Sequence, residues 1–187
     1  MQDELGNMTN ISYLSPTVME STFNFNSGNS TLDTRTTLDG LGRTHIVQRR
    51  QSPTATNYDS VETDYDSYGR PSRVTVPYVA AAGITNSSAP ATTTAYDALS
   101  RPTTVTSPPQ ASDSQSGTVN YNYYDNNVLI KTGPAPNTQR QYEYDALGRL
   151  ISVCELTSGT GSGNCAQNTT PRSVIGQPTP MTLPGIC

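Results

Sequence analysis

The stretch "YEYDALGRL", Tyr142 to Leu150, decides the fold, because it reads either as a helical turn with an acid and a base four apart or as one copy of a repeat. Aligning every aspartate separates the two. Asp39, Asp66, Asp97 and Asp145 are each followed four residues on by an arginine, namely Arg43, Arg70, Arg101 and Arg149. Ten Asp and ten Arg in 187 residues would give about half a match by chance, and recurrence at a fixed offset marks a repeat architecture. Tyrosine also precedes Asp59, Asp66, Asp97, Asp125 and Asp145. The stretch is a repeat unit.

A helix does not survive the residues around it. Gly42, Gly69 and Gly148 sit inside the motif, Pro71 and Pro102 follow the arginine in two copies, and the flanks "SRVTVPYV", "TTVTSP" and "LISV" carry strand formers. Each copy therefore reads as a β-hairpin, with an incoming strand ending in Tyr-Asp, a short turn closed by Gly and an outgoing strand after Arg. The Asp side chain accepts hydrogen bonds from backbone N–H groups about two residues on, and Gly provides the positive φ. Ser100 stands where the third copy should have Gly, so that turn is expected to be strained or differently closed. Tyr142 and Tyr144 share one strand face and Glu143 takes the other, which allows aromatic rows to stack between hairpins.

The repeat aspartates are spaced by 27, 31, 28 and 20 residues from Asp39 through Asp66, Asp97 and Asp125 to Asp145. Two short strands and two turns need only about twenty residues, so the surplus must be loops. Composition places them in "AAAGITNSSAPATTT" (80–94) and "SPPQASDSQSG" (107–117), at the end opposite the Gly turns. The unit around Tyr124 and Asp125 replaces Gly-Arg by Asn126-Asn127, and "FNFNSGNSTL" (23–32) reads as a worn copy. The organisation is a lead-in over 1–23, hairpin repeats over 24–153, and a Cys/Gly/Ser/Pro-rich tail over 154–187. The fold class is all-β: tandem hairpins in a curved or spiral antiparallel sheet.

Composition agrees. Hydrophobic residues are 33% against the roughly 45–50% of typical soluble domains, and Ser plus Thr make about a quarter, so a large Leu-rich core is not expected. The net charge of −4 and a single lysine, Lys131, argue against nucleic acid. No apolar run is long enough to span a bilayer, and the N-terminal segment lacks the basic start and apolar stretch of a signal peptide.

"YDSYGRP" (65–71, with Tyr65), "YDALSRP" (96–102, with Tyr96) and "YEYDALGRL" resemble the YD repeats of the Rhs family over residues 24–153. The resemblance implies a β-ribbon that spirals into a hollow shell, within large secreted or cell-surface proteins, some of which enclose a toxin cargo polypeptide. With so few repeats the expectation is a partial shell: a non-enzymatic wall or scaffold whose partners are neighbouring repeats of a longer parent chain and an enclosed cargo. A carbohydrate-binding or adhesive surface, built on the tyrosine rows, is the alternative.

Catalytic, cofactor and metal assignments are all none. His45 is the one histidine, with no nucleophile or metal ligand at a telling sequence spacing, and reads as structural or surface. Asp66, Asp97, Asp125, Asp145 and Glu143 could meet as carboxylate pairs, yet each Asp already has a turn role. The repeat arginines read as partners of turn carboxylates or tyrosine rings. Cys154, Cys165 and Cys187 are too scattered for zinc; the ten residues between Cys154 and Cys165 suit a disulfide stabilising the fold by about 2–3 kcal/mol and implying an oxidising compartment.

Overall fold

The computed structural model describes residues 2–27, 30–109, 116–124, 128–133 and 139–156, with only the backbone of Val128 and Leu156. These residues form thirteen strands and no helix: β1 (Met8–Ser15), β2 (Val18–Phe25), β3 (Ser30–Leu38), β4 (Thr44–Arg50), β5 (Asn57–Tyr65), β6 (Pro71–Thr75), β7 (Tyr78–Ala81), β8 (Ala91–Tyr96), β9 (Pro102–Ser107), β10 (Gly117–Tyr124), β11 (Val128–Thr132), β12 (Gln139–Tyr144) and β13 (Leu150–Leu156). Among the described residues no helix is long and apolar enough to cross a membrane. The sheet is antiparallel and open, with strand order β1-β2-β3-β4-β5-β6-β8-β9-β10-β11-β12-β13 and β7 on β5. The all-β hairpin architecture read from the repeat is the architecture found.

Two compact units divide the chain, residues 1–95 with 107–109, and residues 96–106 with 110–187. In the first, Glu20, Arg35, Gln48, Ser60 and Tyr78 are opposed in succession across β2, β3, β4, β5 and β7. Ile46, Tyr58 and Ala89 are buried there, but so are Asp33, Gln48, Ser60, Glu62 and Thr75. For Gln48 and Glu62 the reason is the segment that ends β7 and follows it. Gly83 N–H donates to Gln48 Oε1 (2.6 Å), Asn86 N–H donates to Glu62 Oε2 (3.0 Å), and Gln48 Nε2 donates to the Ala81 carbonyl (3.0 Å). Non-sheet backbone laid on a sheet face brings polar groups that need partners, and buried Gln and Glu side chains supply them.

In the second unit Ile130, Gln141 and Cys154 are opposed across β11, β12 and β13, and all three are buried. Gln141 Nε2 donates to Glu143 Oε1 at 2.7 Å. The alternation of Tyr142, Glu143 and Tyr144 holds, and the carboxylate lies on the buried face while both tyrosines are half-buried.

Two boundaries and one repeat assignment change. Residues 8–23, assigned to a lead-in, form β1 and most of β2, because "NISYLS" pairs along its length with "VMEST". β13 runs on through Cys154 to Leu156, so residues 154–156 belong to the sheet, and the rest of the segment assigned to a tail lies outside the described residues. The described residues of "FNFNSGNSTL" end β2 and begin β3, with Asn26 and Ser27 in the left-handed region, at the end of these strands away from the Asp39 turn; the segment is out of phase with the repeat.

Candidate functional site

The repeated turn is the first candidate. At Asp39 the backbone N–H donates to the Arg43 carbonyl (2.8 Å) and Gly42 N–H donates back to the Asp39 carbonyl (3.0 Å). The Asp39 Oδ1 accepts from the N–H groups of Leu41 and Arg43, both at 2.9 Å, and Oδ2 accepts from Arg43 Nε at 2.7 Å. The same five bonds recur at Asp66, Asp97 and Asp145. Gly42, Gly69 and Gly148 hold φ between 75° and 83°. Ser100 takes φ 63° and closes its turn with the same bonds, so the strain is carried by the serine.

These bonds hold the four carboxyls below the usual carboxylate range. At Asp39, Asp97 and Asp145 the largest influence is the arginine's own N–H; at Asp66 desolvation is largest and raises the pKa, and the Arg70 N–H and guanidinium with the Tyr68 N–H together outweigh it. A carboxylate with both oxygens engaged inside its own turn is a structural group rather than an acid–base one. A further copy escapes the Asp/Arg alignment: Asp3 makes the same pattern with Leu5, Gly6 and Asn7, with the Asn7 amide in place of the guanidinium. The "DELG" of residues 3–6, beside "DGLG" (39–42) and "DALG" (145–148), was the available signal.

The arginines also join hairpins. Arg43 lies over the Tyr65 ring at 4.1 Å, and Tyr65 donates its hydroxyl to the Thr44 carbonyl (2.8 Å). Arg101 lies over Tyr123 at 4.1 Å, whose hydroxyl donates to the Pro102 carbonyl (2.9 Å). Cations lie over several of the tyrosine rings, Lys131 over Tyr121 and Tyr142 included, where the sequence suggested ring-on-ring rows; Phe23 and Phe25 do stack. Tyr96 and Tyr124 end β8 and β10 half-buried, and Asp125 lies outside the described residues.

The second candidate is one the sequence did not indicate. In the hairpins of Arg43, Arg70 and Arg149 the register slips by one residue, leaving His45, Ser72 and Ile151 as the extra residue of a bulge. In a regular ladder His45 would oppose Thr63 on the face away from Glu62, since Ile46 opposes Glu62. The bulge re-aims the imidazole. Its Nδ1 lies 3.1 Å from the Thr63 carbonyl, Nε2 lies 3.7 Å from Glu62 Oε1, and Nδ1 lies 3.7 Å from Asp64 Oδ1. Glu62 is 4% exposed, and its Oε2 accepts from Tyr78 (3.1 Å) and Asn86 N–H. Burial, followed by that bond to Glu62, pushes the Tyr78 phenol up to about 12. Arg73 holds Asp64 Oδ2 at 2.9 Å and donates to the carbonyls of Asn86, Ser87 and Ala89.

Cys154 is fully buried and disulfide-bonded; Cys165 and Cys187 lie outside the described residues. The fold and its turns define a class, an open antiparallel sheet of aspartate-closed hairpins. Compared with known proteins, the chain matches no family model and no curated protein.

Proposed function

We infer that this chain is a non-enzymatic structural array, a segment of wall or scaffold within a larger exported protein of the YD-repeat kind. The observation that carries the reading is the saturation of the recurring carboxylates: four turns make the same five hydrogen bonds, and every one is internal to its turn. Recurrence of a self-satisfied group supports a role in holding hairpins at a common geometry, because catalysis needs one copy to differ from the rest. The Arg43–Tyr65 and Arg101–Tyr123 contacts support it too, since both tie a turn to the following hairpin. Neighbouring repeats of the parent, and an enclosed cargo, are the partners this reading proposes.

The alternative, a carbohydrate-binding or adhesive face, draws on a shallow groove in the second unit lined by Asp97, Arg101, Thr103, Tyr121 and Asn122. A glycan array on the purified chain decides between them. The scaffold reading expects no selective binding. Selective micromolar binding that disappears in Tyr121→Ala or Tyr142→Ala would replace it with the adhesive one.

A further inference from the structure

We propose that His45, Glu62 and Asp64 form a binding site for a first-row divalent transition metal ion of the zinc type. One donor atom from each of the three residues lies within 4.8 Å of the other two. The histidine is already set up as a ligand. A carbonyl can only accept, so Nδ1 donates to the Thr63 carbonyl at 3.1 Å, and in the neutral imidazole the Nε2 lone pair then faces Glu62 Oε1 at 3.7 Å. A backbone carbonyl on the other ring nitrogen is the usual means of fixing tautomer and orientation in metal-bound histidines.

Two acceptors face each other across that gap. Oε1 belongs to a side chain more than nine-tenths buried, and among the described residues it accepts no hydrogen bond, its Oε2 being the oxygen that Tyr78 and Asn86 engage. The separation is too long for a hydrogen bond. It is close to what a shared ion imposes: bonds of about 2.0–2.2 Å at near-tetrahedral angles put two donors roughly 3.3–3.6 Å apart. Asp64 supplies the third donor: its Oδ1 lies 3.7 Å from Nδ1, and turning this partly exposed carboxylate toward the Nε2 side exchanges its present contact with Arg73 for the ion.

Charge and ligand type set the class of ion. Two carboxylates against the Arg73 guanidinium leave the pocket at −1 with neutral imidazole, and a divalent cation makes it +1. One imidazole nitrogen with two carboxylate oxygens suits zinc, manganese or iron better than the all-oxygen shells of calcium. His45 and Asp64 both reach solvent, so the ion has an entry path and room for water.

Because His45 is the only histidine, its ring can be followed in the full chain without assignment work. Long-range proton–nitrogen NMR during addition of one equivalent of Zn²⁺ to chelator-treated protein should show Nε2 moving to a metal-bound position while Nδ1 keeps its proton. Glu62→Gln and Asp64→Asn should each weaken Zn²⁺ binding by about tenfold or more, with far-UV circular dichroism reporting that the sheet persists. Imidazole signals that do not move would overturn the site, including the case in which the cysteines take up the zinc. Uptake unchanged in both folded variants would overturn it as well.

Discussion

Ser100 shows how local the repeat's instructions are. Its φ of 63° is what the glycines of the sister turns adopt without a Cβ, and all the turn's bonds are present regardless. Ser100→Gly should therefore stabilise the protein by about 1 kcal/mol, the cost of holding a non-glycine residue left-handed. Gly69→Ala should do the opposite by about 1–2 kcal/mol, since φ is 83° and the new Cβ would lie 3.2 Å from Arg43 Nη1. Urea titrations of both variants check the pair, and a stabilising Gly69→Ala would contradict the strain argument. This layer was legible because every partner of the aspartate lies within four residues of it. Asp3 was missed only because the alignment required arginine, and Asn7 serves the same oxygen.

A hairpin is the next scale up, and its acid sensitivity follows from its turn. Asp39, Asp66, Asp97 and Asp145 have folded pKa values below the ordinary 3.8. A depressed folded pKa means that the stabilisation is present in full above the ordinary value and disappears as pH falls through the lower one. The urea midpoint should hold steady on acidification to about pH 5 and fall below about pH 4. Asp66→Asn should start lower at neutral pH and lose less on acidification; an identical acid limb in that variant would remove the turn from the explanation. Between hairpins, Tyr65→Phe deletes the hydroxyl that binds the Thr44 carbonyl and should destabilise by about 0.5–1.5 kcal/mol. Stability unchanged on that substitution would mean that the ring over Arg43 carries the contact alone.

At the scale of the whole molecule the chain is short of apolar core, and among the described residues Asp33 Oδ1, Arg35 Nε and Thr37 Oγ1 are buried without a partner. β1 and β13 end the strand order, with Ile11, Tyr13, Leu14, Leu150 and Ile151 exposed on them. A repeat array whose end strands have no further strand beside them among the described residues should melt broadly and associate as concentration rises, whereas a sharp transition above about 70 °C would count against this. Reduction should lower the melting temperature, and peptide mapping of protein made in an oxidising compartment should find Cys154 joined to Cys165; a Cys154–Cys187 bridge would refute that pairing. The sequence alone determined the all-β class, the place of the four Asp/Arg hairpins and the bonding inside their turns, because those depend on residue types a few positions apart. It did not show that residues 8–23 join the sheet, that the segment after β7 covers Gln48 and Glu62, or that His45 meets two carboxylates. Those contacts depend on which strands become neighbours and on a one-residue slip that turns His45 to the other face; the slip is set when β3 and β4 pair, and Glu62 arrives only when β5 pairs with β4.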